Sequence, residues 1–336
     1  MFGGLHYRGL LRSGFTSFSH ALQYAVLIYR VSLLIKHYKG TSAIMRFTKT
    51  LLASSCLCLA SVAQAQVLPE ATIGIKIPLV AKPTTRPMTV AYVPYYSRYY
   101  IADGGLAPMP GDFEHPVSMS CVHTYGSLGE YIQSAKPGLD NRSIYFNPNT
   151  RHLESVTYNV SSDAGFAPNT GIYVIDMNDQ GDPQDNASEA SGPNPAFGDS
   201  ATMPTFDPER NRYYAKQKRG NLVWVIELNK REKVGEIALD LKAAGVQFDD
   251  VCDNFIAYTG IAGEELALLD IDHKGVLIFD LKGKFIGKSS LPPTMKLRAQ
   301  NHFTGLGYAN NMFFVFHESE GEFGTYYGFK ISDLAK

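Results

Sequence analysis

The sequence predicts an all-β fold made of repeated four-stranded sheets, a β-propeller. Helical periodicity is almost absent beyond residue 65, and short β-branched and aromatic runs alternate there with Gly, Pro, Asn and Asp. These runs recur at intervals of about 40–60 residues, a period typical of propeller blades. The 336-residue chain is 45% hydrophobic and 19% charged, which is a globular composition and excludes a disordered or collagen-like protein.

Each repeat begins with a strand that ends in an aromatic anchor followed by turn-forming residues. The anchors are Tyr92, Phe146, Phe206, Phe248 and Tyr308. Pro, Asp and Asn after the anchors preset φ or bond the local backbone, so they predict a tight turn and a second strand. Third strands are predicted at 122–125, 172–176, 222–226, 276–280 and 326–329. Four strands in each of five repeats make up the predicted blades.

The two ends of the repeat region provide a further prediction. The fifth repeat reaches residue 336 before a fourth strand, and residues 73–79 read as a closing strand with no hairpin of their own. We expect this N-terminal strand to complete the last blade and close the ring, which leaves only short sheet edges. A sixth blade within 104–116 or 181–203 is the alternative, but both stretches read better as loops rich in Pro, Gly and Asp.

The charge distribution separates an N-terminal segment from the repeats. Residues 1–65 contain seven Lys and Arg and no Asp or Glu. Residues 45–65 have a basic start, a short apolar stretch and the small-x-small sequence Ala63-Gln64-Ala65, the order of a secretory signal peptide. We predict cleavage near Ala65 and a secreted or periplasmic location. Residues 1–44 are interpreted as an upstream extension, with Met45 as the alternative start.

Residues 66–336 are therefore predicted to be a single propeller domain without a stable membrane span. Cys121 and Cys252 are the cysteines of this region, and they are expected either to form a disulfide or to remain two buried thiols. The acidic net charge of the region disfavours nucleic-acid binding. The absence of GxSxG, Walker A, GxGxxG and CxxC motifs weakens nucleophilic hydrolysis, nucleotide use and thiol redox chemistry.

Two segments of the third repeat carry a family resemblance. Residues 207–215, DPERNRYYA, and residues 220–228, GNLVWVIEL, resemble the strand–turn–strand element and following strand of YVTN/NHL-type propellers. No literal YVTN tetrapeptide occurs. The resemblance implies a fold and says little about chemistry, because propellers support many unrelated functions.

The first functional hypothesis is a binding or interaction protein that recognises a small molecule, glycan or protein at the central depression of the ring. The unusual tyrosine-rich sequence at 92–100 suggests aromatic stacking with a charged donor. The predicted ligand-binding residues are Tyr95, Tyr96, Arg98, His123 and His302.

The alternative hypothesis is a metal-dependent hydrolase or lactonase similar to the SMP-30/gluconolactonase group. That similarity implies a divalent cation held by carboxylate and amide oxygens, which could activate water. The predicted metal ligands are Asp249, Asp250 and Asp253, with Asn254 beside them and Asn310 and Asn311 at the equivalent turn of the fifth repeat. Their competing interpretation is that they are ordinary turn residues.

Overall fold

The computed structural model describes residues 66–80, 86–104, 120–137, 141–157, 171–191, 195–199, 202–297, 306–317 and 323–333. Across these ranges the chain forms β-strands and no helix, which confirms the all-β prediction. The ranges therefore contain no helix that could cross a membrane. They belong to one compact unit, residues 65–336. His302 lies outside the described residues.

Three four-stranded antiparallel sheets follow one another along the chain, each with its strands in sequence order. Sheet 1 contains β2 (Arg86–Val93), β3 (Arg98–Gly104), β4 (Val122–Tyr125) and β5 (Tyr131–Ala135). Sheet 2 contains β6 (Asn141–Asn147), β7 (His152–Thr157), β8 (Gly171–Met177) and β9 (Pro183–Ser191). Sheet 3 contains β10 (Thr205–Asp207), β11 (Arg212–Lys216), β12 (Leu222–Glu227) and β13 (Glu232–Ala238).

Two further groups of four strands join through the N-terminal strand β1 (Val67–Pro78). Sheet 4 contains β14 (Ala257–Tyr258), β15 (Leu266–Asp270), β16 (Gly275–Phe279) and β17 (Phe285–Ser290). Sheet 5 contains β18 (Leu306–Ala309), β19 (Met312–His317), β20 (Thr325–Ser332) and β1. β1 pairs antiparallel with β20 and touches β17 through one parallel pair, Glu70 with Ser290.

The predicted N-terminal strand thus exists, begins earlier than expected and pairs with β20, the last strand among the described residues. Its burial alternates, with Ile75 and Ile77 buried and Lys76 and Pro78 exposed. This is the pattern of a strand with one face on the core. Ile77 lies opposite Tyr326 of β20, and both are fully buried in one apolar cluster.

The first strands of the five sheets, β2, β6, β10, β14 and β18, contact one another in that order, and β18 also contacts β2. Burial declines across each sheet. All five residues of β16 are buried, whereas most of the outermost strands β9 and β13 are exposed or partly exposed. The sheets therefore pack on each other through their inner strands and present their fourth strands outward.

The hairpin turns that follow the anchors explain why those residues recur. Three sheets use a four-residue turn that begins with Pro94, Pro148 or Pro208 and ends with a residue of positive φ. Sheet 5 uses the two-residue turn Asn310-Asn311, with φ of 49° and 58°. Asn tolerates this conformation, and two consecutive positive φ values match the twist of a tight hairpin.

The prediction for the fourth repeat is wrong in register. Phe248 is an exposed residue beside a turn, and the first strand is β14, which contains only two residues. The loop that connects β14 to β15 spans residues 259–265, so it is longer than the four-residue turns of sheets 1–3. The anchor was predicted from the spacing of the shorter turns, and that spacing does not apply here. Tyr258, at the end of β14, is the residue equivalent to the anchors of the other sheets.

Candidate functional site

A cavity of about 370 Å³ lies between the first strands of the sheets. Every one of the five sheets contributes to it, so the cavity exists only where all the sheets meet. We call it the first-strand cavity. Its lining residues are Thr89, Val90, Ala91, Tyr92, Ser143, Ile144, Tyr145, Phe146, Pro148, Pro204, Thr205, Phe206, Pro208, Phe255, Tyr258, Gly307, Tyr308, Ala309, Asn310 and Asn311.

The lining combines aromatic rings with neutral polar groups. The rings of Tyr145 and Phe206 lie 4.8 Å apart at an interplanar angle of 32°. The Tyr145 hydroxyl donates to Glu154 (2.9 Å) and lies 2.5 Å from the Tyr213 hydroxyl, so the ring is held in place. Burial raises the pKa of Tyr145 well above its ordinary value. This side chain therefore stays neutral at any physiological pH.

Two hydroxyls at the cavity lack hydrogen-bond partners within the described part of the chain. They are Ser143 Oγ and Tyr308 Oη, and both atoms are buried. Burial raises the pKa of Tyr308 far above the ordinary tyrosine value, and the charge of Glu264 acts in the same direction. An unpaired buried hydroxyl costs about 1–3 kcal/mol, and neither of these oxygens is exposed to a ligand in the cavity.

The cavity lining is uncharged. None of the described residues that line it is Asp, Glu, Lys, Arg or His. A buried ionic ligand needs a countercharge, because desolvation of an ion costs several kcal/mol. The described lining therefore matches a neutral molecule.

Hydrogen bonds between neighbouring first strands fix the shape of the cavity. Thr89 Oγ1 on β2 accepts from the backbone N of Ile144 on β6 (2.7 Å) and donates to the carbonyl of Arg142 (3.1 Å). Thr205 Oγ1 on β10 accepts from the backbone N of Tyr258 on β14 (3.2 Å). These contacts hold polar lining atoms at set positions, and this order lowers the entropic cost of binding.

Tyr95, Tyr96 and Arg98 lie at the β2–β3 turn and contact sheet 2. The exposed ring of Tyr95 meets the edge of Phe146, a cavity residue, at 5.5 Å. Arg98 forms an ion pair of 2.6 Å with Asp182. None of the three predicted residues lines the cavity itself. Their predicted binding role stays a prediction.

Tyr96 packs where sheet 2 has a glycine. A methyl group on Gly181 would lie 2.4 Å from the Tyr96 ring. The hydroxyl of Tyr100 also donates to the carbonyl of Gly181 at 2.6 Å. The tyrosine-rich sequence therefore joins sheets 1 and 2.

His123 lies on β4 in a buried polar group away from the first-strand cavity. Its Nε2 is 3.0 Å from Asp103 Oδ2, and its Nδ1 is 2.6 Å from Ser134 Oγ. Cys121 is adjacent, and its sulfur forms no disulfide. Burial and the neighbouring Asp103 raise the pKa of that thiol, which favours the protonated form.

The predicted carboxylates Asp249, Asp250 and Asp253 lie on the connection between sheets 3 and 4. Asp249 is exposed, and Asp250 accepts a hydrogen bond from the backbone N of Gln247 (2.7 Å). The described residues contain one group of three metal-ligating side chains with donor atoms within 4.8 Å of one another, and it consists of Asp103, Cys121 and His123. A metal role for the three predicted carboxylates stays a prediction.

Both cysteines of residues 66–336 are buried, and no disulfide joins them. Cys252 lies near Lys216, whose ammonium donates to the carbonyls of Gly220 (2.6 Å) and Gln217 (2.8 Å). Burial lowers the pKa of Lys216.

Some cavity residues were singled out in the sequence as strand-end anchors or as candidate metal ligands, and none of them as part of a neutral cavity. Four predicted anchors, Tyr92, Phe146, Phe206 and Tyr308, line the cavity, as do Asn310 and Asn311. In the sequence, these anchors could be found because an aromatic residue recurs at the end of each predicted first strand. Ser143 and Tyr145 had no comparable signal, because nothing in their local sequence distinguishes them from other strand residues.

No protein-family model and no curated protein sequence matches this chain. Among solved structures, the chain is similar to glutaminyl cyclase of Myxococcus xanthus, with 11% identity over 78% of this chain and 97% of that one, at a TM-score of 0.46. It is also similar to a periplasmic gluconolactonase of Pseudomonas aeruginosa, with 11% identity over 70% of this chain and 69% of that one, at a TM-score of 0.34. A tail fibre of Staphylococcus aureus phage P68 shares 9% identity over 77% of this chain and 52% of that one, at a TM-score of 0.46. Similarities this low carry no conclusion about activity, and the YVTN/NHL resemblance stays a prediction.

Proposed function

We propose that residues 66–336 form a five-bladed β-propeller closed by β1, and that the protein is exported and binds a small neutral ligand in the first-strand cavity. Five blades are supported by the closed series of contacts among the five first strands. A sixth blade would need a further first strand in that series. Export rests on the signal-like sequence of residues 45–65.

Closure is supported by contacts between sheets 5 and 1 as well as by the pairing of β1. The hydroxyl of Tyr326 donates to the carbonyl of Met88 (2.6 Å), and Asn310 donates to the hydroxyl of Tyr99 (2.7 Å). A methyl group on Gly307 would lie 2.9 Å from the backbone N of Val90. Glycine at this position lets β18 and β2 approach closely.

The uncharged lining of aromatic rings and neutral polar residues is the observation that carries the binding function. Small-molecule sites combine apolar walls with a few placed polar groups, and their volumes are about 300–1,000 Å³. Ligands with a flat apolar face and several hydroxyl groups fit this lining, since aromatic rings stack on such faces and the neutral polar lining residues can bond to polar edges. A mono- or disaccharide is the ligand class that we propose.

The test is isothermal titration of the protein with a panel of neutral saccharides, charged sugars and lactones. Tyr92→Leu, which removes a partly exposed ring from the lining and keeps an apolar side chain, should weaken binding by about 2- to 13-fold, the equivalent of the about 0.5–1.5 kcal/mol that aromatic stacking contributes beyond burial. Tyr173→Leu, on β8 outside the cavity, is the matched control and should leave affinity unchanged. Binding of charged sugars only, or equal affinity in all variants, would rule out this site.

The same panel tests the hydrolase alternative. Lactone turnover that is lost on chelation and in Asp249→Asn, Asp250→Asn or Asp253→Asn would establish the metal-dependent enzyme. Saccharide binding without turnover would support the binding protein.

A further inference from the structure

Sheet 1 brings together one carboxylate, one thiol and one imidazole, which we call the Asp103 cluster. Asp103 lies on β3, Cys121 immediately precedes β4, and His123 lies on β4. One donor atom from each residue lies within 4.8 Å of the other two, and the residues are 1%, 6% and 3% exposed. The β3–β4 pairing creates this grouping, because His123 lies opposite Ile101 and the backbone N of Asp103 bonds to the carbonyl of Cys121.

The remaining polar atoms of the cluster are already held by neighbours. Asp103 Oδ1 accepts from the backbone N of Cys121, and the carbonyl of Asp103 accepts from Ser120 Oγ. His123 Nδ1 lies beside Ser134 Oγ, which is also 2.9 Å from the Tyr131 hydroxyl. The cluster thus has a fixed shape, and a carboxylate oxygen of Asp103, a ring nitrogen of His123 and the sulfur of Cys121 all lie within 4.8 Å of one another.

This arrangement matches the inner and outer shells of a metal site. Ligating histidines almost always bond their other ring nitrogen to a fixed acceptor, and ligating carboxylates are themselves hydrogen-bonded. Ser134 fills the first role and the backbone N of Cys121 fills the second. The Nε2–Oδ2 separation of 3.0 Å is also close enough for both atoms to bind one ion at about 2.0–2.2 Å.

We propose that Asp103, Cys121 and His123 bind a divalent transition-metal ion, with Zn²⁺ the best match. Thiolate and imidazole ligands suit zinc, whereas Ca²⁺ and Mg²⁺ require oxygen ligands. Three protein ligands leave a fourth tetrahedral position for water or another ligand. Zinc binding displaces the thiol proton of Cys121, so a buried group that is neutral without metal becomes a ligand.

This site is separate from the first-strand cavity and does not depend on the proposed saccharide binding. Its donor atoms belong to one sheet, and none of its three residues lines the cavity. It also differs in position and residue types from the predicted carboxylates of residues 249–253.

Cobalt substitution tests the site directly, because a thiolate bound to Co²⁺ gives a near-ultraviolet charge-transfer band. The full chain is used with Cys56→Ser and Cys58→Ser in every sample, which leaves Cys121 and Cys252 as the only thiols. We expect one Co²⁺ per chain, a thiolate band, and displacement of Co²⁺ by one equivalent of Zn²⁺.

Variants assign the ligands. Cys252→Ser is the matched control, since it removes the other buried thiol, and it should keep the band. Cys121→Ser should lose the band, and His123→Ala should lower affinity by on the order of 100-fold or more. If Cys121→Ser does not fold, as judged by circular dichroism, the band in Cys252→Ser still assigns the thiolate to Cys121.

Several results would overturn the proposal. They are no stoichiometric Co²⁺ or Zn²⁺ binding, a band that disappears in Cys252→Ser, and covalent labelling of Ser134 by a fluorophosphonate in protein that binds no metal. The last result would identify Ser134, His123 and Asp103 as a nucleophilic chain.

Discussion

The first-strand cavity and the Asp103 cluster are two polar regions built in opposite ways. The cavity is uncharged and takes residues from all five sheets, whereas the cluster is ionisable and lies within one sheet. The cavity therefore depends on how the sheets are placed relative to one another. The cluster depends on the register of a few neighbouring strands. Variants that disturb sheet assembly should affect the cavity first, and variants at the side chains that hold the Asp103 cluster should affect the cluster alone.

The largest effect is expected from Ile77→Ala, which weakens the strand that joins the two ends of the fold. Ile77 is fully buried, so the change should lower the free energy of unfolding by about 2–5 kcal/mol through lost burial and the cavity left behind. Equilibrium urea unfolding measures it. Ile73→Ala, at a position that is 45% exposed on the same strand, should change stability by less than about 0.5 kcal/mol. Similar losses in both variants would show that β1 is not packed as described.

A smaller and local effect is expected from Ser134→Ala. Loss of the group that orients His123 should weaken Zn²⁺ affinity by about 10- to 100-fold, with Asp103 and Cys121 still in place. Competition with a chromophoric chelator measures the change. Ser143→Ala, in the cavity, should leave Zn²⁺ affinity unaltered, because the two regions share no residue. An equal loss in both serine variants would contradict the separation of the two regions.

A still smaller effect on stability is expected from Tyr308→Phe. Its hydroxyl is buried without a partner among the described residues, so removing the hydroxyl should leave the free energy of unfolding unchanged or raise it by about 1 kcal/mol. Tyr326→Phe is the contrasting variant, because that hydroxyl donates to Met88, and it should lower stability by about 0.5–1.5 kcal/mol. Thermal unfolding compares the two. A clear loss in Tyr308→Phe would mean that its hydroxyl already has a partner.

The smallest effect concerns Glu264, the buried carboxylate whose charge acts on Tyr308. Burial raises the pKa of Glu264, and the charges of Asp333 and Glu265 act in the same direction. A raised pKa in the folded state favours folding at low pH, and that contribution is lost as pH rises through the folded pKa. Glu264→Gln should therefore gain stability relative to the parent protein between about pH 4.5 and neutrality, and match it at lower pH. Urea titrations at several pH values would reveal a flat difference if this assignment is wrong.

The repeat pattern made much of the fold predictable. Pro94, Pro148 and Pro208 mark real turns, and the strand near residues 73–79 was visible because it had no hairpin partner of its own. The fourth repeat was misplaced because its first strand is short and its turn is long. Both features depend on packing between sheets, which local spacing does not record.

The two candidate sites also differ in how far the sequence could predict them. His123 was identified from its position on a predicted strand. Asp103 and Cys121 were missed as its partners because they lie 18 residues apart and meet only through pairing between strands β3 and β4. The cavity residues come from five distant segments, so only the repeated aromatic anchors pointed to them.

The pairing of β1 with β20 has a consequence for how the protein is made. The backbone N of Gln66 donates to Asp333 (2.8 Å), and the backbone N of Asp333 donates to Gln66 (3.1 Å), so residues separated by almost the whole domain are bonded to each other. A nascent chain must therefore carry its opening strand unpaired until the closing strand has left the ribosome. Such long-range pairing slows folding and delays the completion of sheet 5 until β20 has been synthesised.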